Sequence, residues 1–506
     1  MVQAEFPEQN LSSKFDSFTR EDFIRRQGLL EGENLRLVRE NYNLRQVKLS
    51  DEQLKLIITE QLSALNESLY GTSSERYKKP EDKKKNEGPA KPRIKKPSER
   101  YPNIPVRDVL LEITPLPGCE VCGKQMSDSG MRESSEQLTV IPKKFEITRY
   151  NRAIYRCSCQ SCMKTAPGPL KVVDSSSYSN EMIVDVVLSK YCDLIPVERY
   201  AAMAGRSGLI DLPPNSLIDL THKYADFVRD VYQLIKSGVL KARVLHADET
   251  PHRMLEGSAK KSWYLWGFST PIYCYLGCHD TRSGDVASDV LLNSMCEFLV
   301  TDVYSGYGKA IKTVNLVREQ KSQIPIESAY CNAHARRYFF KPREAYPEVY
   351  FYLDHYHEIY KLNSESKGKP PDEILKLREK MAPHFEAMRL KAIEELPRYP
   401  DGNKYKKALN YYLENYDGLT LFLAEAEVPI DNNAQEQLLL SHVVGRKTWY
   451  GTHSELGAET AAILFSIVET CKLNGVNPRE YFPKLTKDLL DGKPAYTPQD
   501  FKNQQT

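Results

Sequence analysis

The stretch RVLHADET, residues 243–250, joins a short apolar run to two adjacent acids, Asp248 and Glu249. The apolar residues predict a strand, and a strand that ends on a carboxylate presents an oxygen ligand of the kind that Mg²⁺ prefers. Successive side chains of a strand point to opposite faces, so Glu249 is predicted to point away from Asp248 and to have a structural or supporting role. This stretch therefore predicts the first ligand of a metal site.

The segments that follow predict more strands of the same sheet. SWYLWGF (262–268) and IYCYLGC (272–278) are rich in aromatic and β-branched residues, which is typical of consecutive strands. FLVTD, residues 298–302, repeats the first pattern because its apolar run ends on Asp302. Two acids carried by strands, joined by an acid from a later helix, would form a carboxylate cluster for Mg²⁺.

Length and composition predict a large intracellular protein. The chain has 506 residues, of which 41% are hydrophobic, so it can form several domains with real cores. It has no run of about 18 apolar residues, and its first 15 residues have no apolar signal core. We therefore expect a cytoplasmic protein without a membrane partner. Eleven cysteines, an odd number, favour metal ligands or buried thiols over disulfides.

The N-terminal region divides into a helical part and a linker. Residues 1–70 are predicted to be helical, with a coiled-coil seam, and a helical hairpin packing on its own domain is the alternative. Residues 71–104 are predicted to be a basic disordered linker, because 75–100 hold 11 Lys and Arg against 5 Asp and Glu and few apolar residues. Contact between this basic excess and a phosphate backbone is the alternative to a solvated linker. The seam consists of Leu30, Asn34, Leu37, Asn41 and Leu44.

Residues 105–172 contain two CxxC pairs and are predicted to form a zinc finger. Four thiolates suit the tetrahedral coordination of Zn²⁺, and a closed site of this kind is structural. Cys157 lies close enough in sequence to compete as a ligand. Basic residues between the pairs leave DNA contact and a merely structural finger as alternatives. The predicted zinc ligands are Cys119, Cys122, Cys159 and Cys162.

The rest of the chain is predicted to surround the sheet with helices. A turn containing Pro213 and Pro214 leaves a helix-turn-helix as an alternative to simple helical packing. Cys331 and His334 form a CxxH pair, but without a second pair nearby we expect a buried thiol and a histidine near the active site rather than zinc. The predicted domains are 173–240 helical, 241–339 the first part of the core, 340–428 a helical insertion, 429–487 the C-terminal helices of the core, and 488–506 a loose tail.

With these motifs the sequence resembles a known family, the transposases of the insertion-sequence-66 family, which are bacterial DDE transposases with an RNase H-like core. The resemblance covers most of the chain and includes the double CxxC. The similar motifs are LNESLYGTSSERY (65–77), LHADETPHRML (245–255), TDVYSGY (301–307), CNAHARRYF (331–339), IDNNAQEQ (430–437) and GRKTWYG (445–451).

The resemblance implies a fold and an activity. The fold would be α+β and multidomain: an N-terminal helical segment, a Cys₄ zinc finger and an RNase H-like α/β catalytic core with a helical insertion. Asp248, Asp302 and Glu436 fall on the acidic triad of the family, which binds Mg²⁺ or Mn²⁺. The activity would be cleavage of the ends of an insertion sequence, followed by strand transfer into target DNA.

The resemblance also implies partners and a place of action. The partners would be double-stranded DNA (terminal inverted repeats and target), further copies of the chain as a homo-oligomer, and accessory proteins of the same element, at the bacterial nucleoid. The basic residues predicted to contact DNA are Arg336, Arg337, Arg446 and Lys447, and a solvated basic turn is the alternative for the last two.

The sequence departs from the family at three positions. Val303 replaces a Gly, and Gln437 and Leu440 stand where the family has Arg, so phosphate contacts are predicted to be weaker. Two rival functions therefore stay open: an RNase H-like nuclease without strand transfer, and a DNA-binding remnant that has lost activity.

Overall fold

The computed structural model describes most of the chain from residue 162 onward and only parts of it before that. The predicted coiled coil and most of the predicted linker lie outside the described residues. Within the linker, Pro97–Arg100 form a single helical turn. The described ranges are 36–37, 40, 96–102, 104–111, 114, 117–118, 120–125, 131–132, 134–140, 143–156, 158, 162–256 and 262–505.

The predicted finger region contains a small antiparallel hairpin, β1 (Ile154–Arg156) and β2 (Met163–Thr165). An isolated bridge joins Gly118 to Gln125 around the first CxxC pair. The region is held to the following helices by Lys143, whose ammonium group pairs with Asp185.

Four helices precede the main sheet. The Ser179 hydroxyl accepts a hydrogen bond from the Met182 amide at 3.3 Å and so caps the first of them. Leu217 and Tyr224 on the third helix are fully buried, as simple helical packing requires. The four helices are α1 Asn180–Tyr191, α2 Val197–Arg206, α3 Pro214–Phe227 and α4 Arg229–Leu240.

Five strands form one mixed sheet in the order β5-β4-β3-β6-β7. The pairs β3–β4 and β4–β5 are antiparallel, whereas β3–β6 and β6–β7 are parallel. The strand predicted at 272–278 begins two residues later, because Thr270 and Tyr273 close the turn that precedes it. The strands are β3 Val244–Arg253, β4 Ser262–Ser269, β5 Cys274–His279, β6 Phe298–Thr301 and β7 Glu327–Tyr330.

Helices cover both faces of this sheet. Trp266 of β4 meets Tyr307 of α6 edge-on, with ring centroids 5.7 Å apart, whereas its neighbour Gly267 lies against Gln435 of α12. Adjacent strand residues point to opposite faces, so α6 and α12 lie on opposite faces. The helices concerned are α5 Gly284–Leu292, α6 Ser305–Gln320, α7 Asn332–Phe340, α12 Asn433–Trp449 and α13 Glu455–Leu473.

The α13 helix closes one edge of the sheet. Its Ser466 hydroxyl accepts a hydrogen bond from the Leu276 amide of β5 at 2.9 Å, and its Thr470 hydroxyl accepts one from the Cys274 amide at 3.1 Å. These two bonds satisfy edge amides that would otherwise face solvent or another strand.

Helices and turns fill residues 349–423, within the predicted insertion, and pack on the β6–β7 side of the sheet. Phe298, Val300 and Ala329 of the sheet belong to the same apolar cluster as the tyrosines of these helices. Inside this cluster the buried Glu395 carboxylate accepts hydrogen bonds from the hydroxyls of Tyr352 and Tyr405. The elements are α8 Val349–Glu365, α9 Pro371–Glu395, α10 Lys404–Glu414, α11 Tyr416–Thr420 and 3₁₀ turns at Leu396–Arg398 and Leu421–Leu423.

The expectation of a loose tail over 488–506 is wrong for residues 488–505. The chain continues through α14 (Pro478–Leu490) to α15 (Pro498–Gln505), where Phe501 is only 7% exposed. The Phe501 ring lies 5.5 Å from that of Tyr481, so an apolar side chain near the end of the chain holds the segment on the core.

No helix within the described ranges has both the length and the apolar character needed to cross a bilayer.

Candidate active site

The two predicted strand-borne acids lie at the same level of the sheet. The parallel pairing of β3 with β6 joins His246 to Val300. Asp248 follows His246 by two residues, and Asp302 follows Val300 by two residues. The two acids therefore lie at equivalent positions, Asp248 within β3 and Asp302 one residue beyond the end of β6.

The electrostatics of Asp248 show that all three predicted acids lie near one another. Burial of its carboxylate is the largest cause that raises the pKa of Asp248 to about 7, followed by repulsion from Glu249 and Asp302. Glu436, which is distant in sequence, also raises this pKa. Asp302 and Glu436 therefore lie near enough to Asp248 to act electrostatically on its carboxylate.

Asn432 holds the helix that carries Glu436 against the sheet. Its side chain is 1% exposed and immediately precedes α12. The Asn432 Nδ2 group donates to the Ala247 carbonyl at 2.9 Å, and its Oδ1 atom lies 2.8 Å from His246 Nδ1. Both partners immediately precede Asp248 on β3. This clamp places the first turn of α12 beside the acid.

Glu436 lies in that first turn and faces α7. Its Oε1 atom is 3.6 Å from His334 Nδ1, and ligand atoms of Cys331, His334 and Glu436 all lie within 4.8 Å of one another. Burial raises the pKa of Cys331 to about 12, so its thiol stays protonated. The Cys331 sulfur accepts a hydrogen bond from the backbone N–H of Asn432 at 3.2 Å. This agrees with a buried thiol and a histidine beside the acids, as the sequence predicts.

Glu249 points away from Asp248 and joins a second network. Its side chain is 2% exposed, accepts a 2.5 Å hydrogen bond from the Tyr307 hydroxyl and pairs with Arg282 at 2.6 Å. The Arg282 guanidinium lies 4.1 Å above the Tyr304 ring, and the Tyr304 amide donates to Asp302 at 3.1 Å. Glu249 therefore supports the loop that carries Asp302.

Within the described residues, the ligand atoms that lie within 4.8 Å of one another belong to Cys331, His334 and Glu436, not to the three acids. The cluster of Asp248, Asp302 and Glu436 nevertheless has donor chemistry that suits a hard divalent cation. Its donors are carboxylate oxygens, the ligands that Mg²⁺ prefers. The buried Oε1 atom of Glu436 has no hydrogen-bond partner within the described residues. Repulsion among Asp248, Asp302 and Glu436 is relieved when a cation lies between them. Either Mg²⁺ or Mn²⁺ meets these requirements.

The predicted DNA-contacting residues differ in their surroundings. Arg446 donates to the Pro251 carbonyl of β3, so its guanidinium is partly used within the protein. Lys447, the next residue, is exposed. Arg336 and Arg337 lie half-buried on α7.

The structure describes two of the four predicted zinc ligands. Cys122 and Cys162 are both exposed. Cys119 and Cys159 lie outside the described residues, as does Cys157.

Comparison with known families first defines the class of protein. Residues 175–460, more than half of the chain, match a family model described as "Transposase IS66 family". Residues 117–160 match the "zinc-finger binding domain of transposase IS66". These matches define a transposase, an enzyme class that cleaves and transfers DNA, preceded by a zinc-finger domain. The chain belongs to the IS66 family of transposases.

Relatives from one bacterium resemble the chain over most of its length. The protein y4hP of Sinorhizobium fredii (strain NBRC 101917 / NGR234) is 24% identical over 404 residues, which is 75% of this chain and 72% of y4hP. The protein y4jD of the same strain is 24% identical over 406 residues, which is 77% of this chain and 78% of y4jD. Both are described as uncharacterized proteins, so the two family models carry the assignment.

Proposed function

We propose that this transposase binds the ends of an insertion sequence and catalyses metal-dependent strand cleavage and strand transfer at Asp248, Asp302 and Glu436. The observation that carries the proposal is the placement of Asp248 and Asp302 at equivalent positions of paired β3 and β6, with Asn432 holding the first turn of α12, and so Glu436, against β3. The sheet has the order β5-β4-β3-β6-β7, and β4 alone runs opposite to the other four strands. This topology supports an RNase H-like core. In such a core the three acids would hold Mg²⁺ or Mn²⁺.

The reaction consists of two displacements at phosphorus. In the first, water attacks a phosphodiester at the transposon end, the P–O3′ bond breaks, and the departing oxygen takes a proton to become a 3′-hydroxyl. In the second, this hydroxyl loses its proton and attacks a target phosphodiester, whose own P–O3′ bond breaks. Bound metal supplies charge stabilisation for the attacking and departing oxygens.

The protein's own groups keep the acids in place during both steps. Asn432 fixes the start of α12, and therefore Glu436, against β3. Glu249, through Arg282 and Tyr304, supports the loop of Asp302. Preorganised ligands avoid the cost of rearrangement when the transition state forms.

The zinc finger is proposed to hold Zn²⁺ through Cys119, Cys122, Cys159 and Cys162 and to contribute to end recognition. The family match over 117–160 includes the first three of these cysteines. Lys144, Arg149 and Arg152 are exposed in the segment between the pairs, where they are available to DNA phosphates. Lys143 is engaged by Asp185 and serves to dock the finger on α1.

Further basic contacts to DNA are proposed for Arg336, Arg337, Arg446 and Lys447, of which Lys447 is the most accessible. The partners are the terminal inverted repeats and the target duplex. A homo-oligomer would bring two ends together, with accessory proteins of the same element, at the nucleoid.

The decisive experiment is a strand-transfer assay with the full chain, the DNA ends of its element and Mg²⁺ or Mn²⁺. Joined products support the proposal, nicks alone support the nuclease, and binding without cleavage supports the inactive remnant. Asp248→Asn, Asp302→Asn and Glu436→Gln should each lower cleavage by roughly 10³-fold, because each removes a metal ligand. The control is Glu319→Gln, an exposed acid on α6. Normal cleavage by the three variants would contradict the assignment.

One observation favours the inactive remnant as a second candidate. Gln437 and Leu440 replace family arginines on the outer face of α12, and Leu440 is 56% exposed. This face therefore offers no cation at these two positions to a DNA phosphate. Restoring arginine at both positions should increase DNA affinity and its dependence on salt.

A further inference from the structure

Gln435, the residue before Glu436, has an unusual environment. Its side chain is 0% exposed, yet neither its Oε1 nor its Nε2 atom has a hydrogen-bond partner among the residues that the structure describes. Buried amides are nearly always hydrogen-bonded, because an unpaired polar group loses its water without compensation. A fully buried amide with both ends unpaired therefore has hydrogen-bonding capacity that the described residues do not use.

The position of Gly267 shows where this amide lies. A Cβ atom on Gly267 would be 2.1 Å from Gln435 Nε2 and 3.2 Å from its Cδ atom, so the carboxamide rests directly on the glycine backbone. A glycine inside a strand often marks such a close approach. Any larger residue at 267 would displace the amide.

Gly267 is also the cross-strand partner of Asp248. Residues directly opposite in an antiparallel pair share a face, with Cβ positions about 4.5–5.5 Å apart. The carboxamide of Gln435 therefore lies on the same face of the sheet as the Asp248 carboxylate and beside it. Glu436, the next residue on α12, belongs to the same cluster of acids.

We propose that Gln435 is a further binding residue of the metal site and that its carboxamide contacts an oxygen bound to the metal ion. The inference rests on the proposed function. A carboxamide offers one acceptor and two donors without adding charge to a cluster that already holds three acids. A water on the metal would donate to Oε1, and a DNA phosphate oxygen on the metal would accept from Nε2.

The test uses the full chain with Mn²⁺ as the probe, with and without a DNA duplex. Gln435→Met keeps the length of the side chain and removes its hydrogen-bonding groups. If the metal-bound oxygen belongs to water, the Mn²⁺ affinity of Gln435→Met should be about tenfold below that of the wild type even without DNA. If the oxygen belongs to a DNA phosphate, the affinity should fall only when DNA is present. Thermal unfolding without Mn²⁺ should be unchanged or shifted upward, because an unpaired buried amide is removed. The matched control is Leu439→Met on the same buried helix face.

A second variant approaches the same amide from the sheet. Gly267→Ala should displace the carboxamide and lower Mn²⁺ affinity to a similar extent. The double variant should bind Mn²⁺ no more weakly than either single variant, because both changes remove one contact. Additive losses, or wild-type Mn²⁺ affinity in Gln435→Met both with and without DNA, would overturn the inference.

Asp248→Asn separates this inference from the proposed function. If Asp248→Asn loses Mn²⁺ binding while Gln435→Met does not, the metal site stands and the role of Gln435 is rejected. If Asp248→Asn binds Mn²⁺ as the wild type does, both are rejected. A lower unfolding temperature of Gln435→Met without Mn²⁺, together with unchanged Mn²⁺ affinity, would assign Gln435 to packing alone.

Discussion

At the scale of single residues, Asp248 differs from an ordinary surface acid because its carboxylate is buried among others. Burial and the carboxylates of Glu249, Asp302 and Glu436 all favour its protonated form. At the proposed metal site, a proton and a metal ion would therefore compete for the same oxygens.

This competition predicts a specific dependence of stability on pH. The pKa of Asp248 rises from its ordinary value of 3.8 to about 7 on folding, so the folded protein binds more protons than the unfolded chain between these values. Without Mg²⁺ or Mn²⁺, the free energy of unfolding should fall as pH rises from 4 to 7, by roughly 3 kcal/mol from this group.

Chemical denaturation of the wild type and Asp248→Asn across that pH range measures the effect. The difference between the two curves isolates the contribution of Asp248, since the variant carries no titrating group there. Added Mg²⁺ should reverse the trend in the wild type by favouring the ionised form. Parallel curves for the two proteins would show that the folded pKa of Asp248 is ordinary.

Sequence patterns predict the strand-borne acids but not the residues that position them. Asp248 and Asp302 each end a local apolar run, and such a signal needs no knowledge of the rest of the fold. Asn432 contacts His246 across 186 positions of the chain. The surroundings of Gln435 depend on how α12 packs on Gly267. Periodicity contains no information about such distant pairings, and only the family resemblance indicates Glu436.

At the scale of elements, the first turn of α12 depends on a buried side-chain clamp rather than on an ordinary helix cap. The Asn432 side chain accepts no hydrogen bond from the backbone of its own helix but bonds to β3. The position of Glu436 is thus determined by the sheet.

Asn432→Ala should lower the free energy of unfolding by about 2–3 kcal/mol, because buried groups on β3 lose their partners. It should also lower metal affinity, because Glu436 is no longer held beside Asp248. Calorimetry and metal titration measure the two effects. Asn433→Ala is the matched control, since the Asn433 side chain bonds only to the neighbouring Asp431 among the contacts resolved. Equal effects of the two changes would exclude a clamp.

The C-terminal helix α15 is a second element whose role differs from expectation. Its polar sequence predicts a loose tail, but one aromatic residue is enough to dock it. Phe501→Ala should destabilise the protein by about 3 kcal/mol, because it empties a site that is buried beside Tyr481. Gln504→Ala, an exposed position on the same helix, should have almost no effect on thermal unfolding. A neutral Phe501→Ala would show that α15 contributes little to the core.

At the scale of the whole molecule, a catalytic core and a finger domain are joined by few described contacts. Lys143 pairs with Asp185 and lies 4.7 Å from the centroid of the Tyr200 ring, so one residue contacts two helices of the core. This arrangement predicts that the finger and the core respond separately to the loss of zinc.

Cys122→Ser should lower the zinc content to well below one ion per chain and weaken DNA binding. Thermal unfolding of the core should change little, because Cys122 is exposed and lies outside the sheet and helices of the core. Zinc analysis, DNA titration at two salt concentrations and calorimetry measure these outcomes. Cys192→Ser, at a half-buried thiol of the core, should leave zinc content unchanged. Loss of the core transition in Cys122→Ser would show that the finger is part of the core fold.

The hydroxyls of Ser466 and Thr470, which bind the amides of β5, have a consequence for how copies of the chain meet. At the opposite border of the sheet, α11 covers β7, and Gly418 approaches the Tyr330 ring and the Ser328 carbonyl. Neither border offers a template for a foreign strand. In the proposed assembly of two protomers on paired DNA ends, we therefore expect association through helices, fingers or the nucleic acid itself, and no growth of the complex by intermolecular sheet extension.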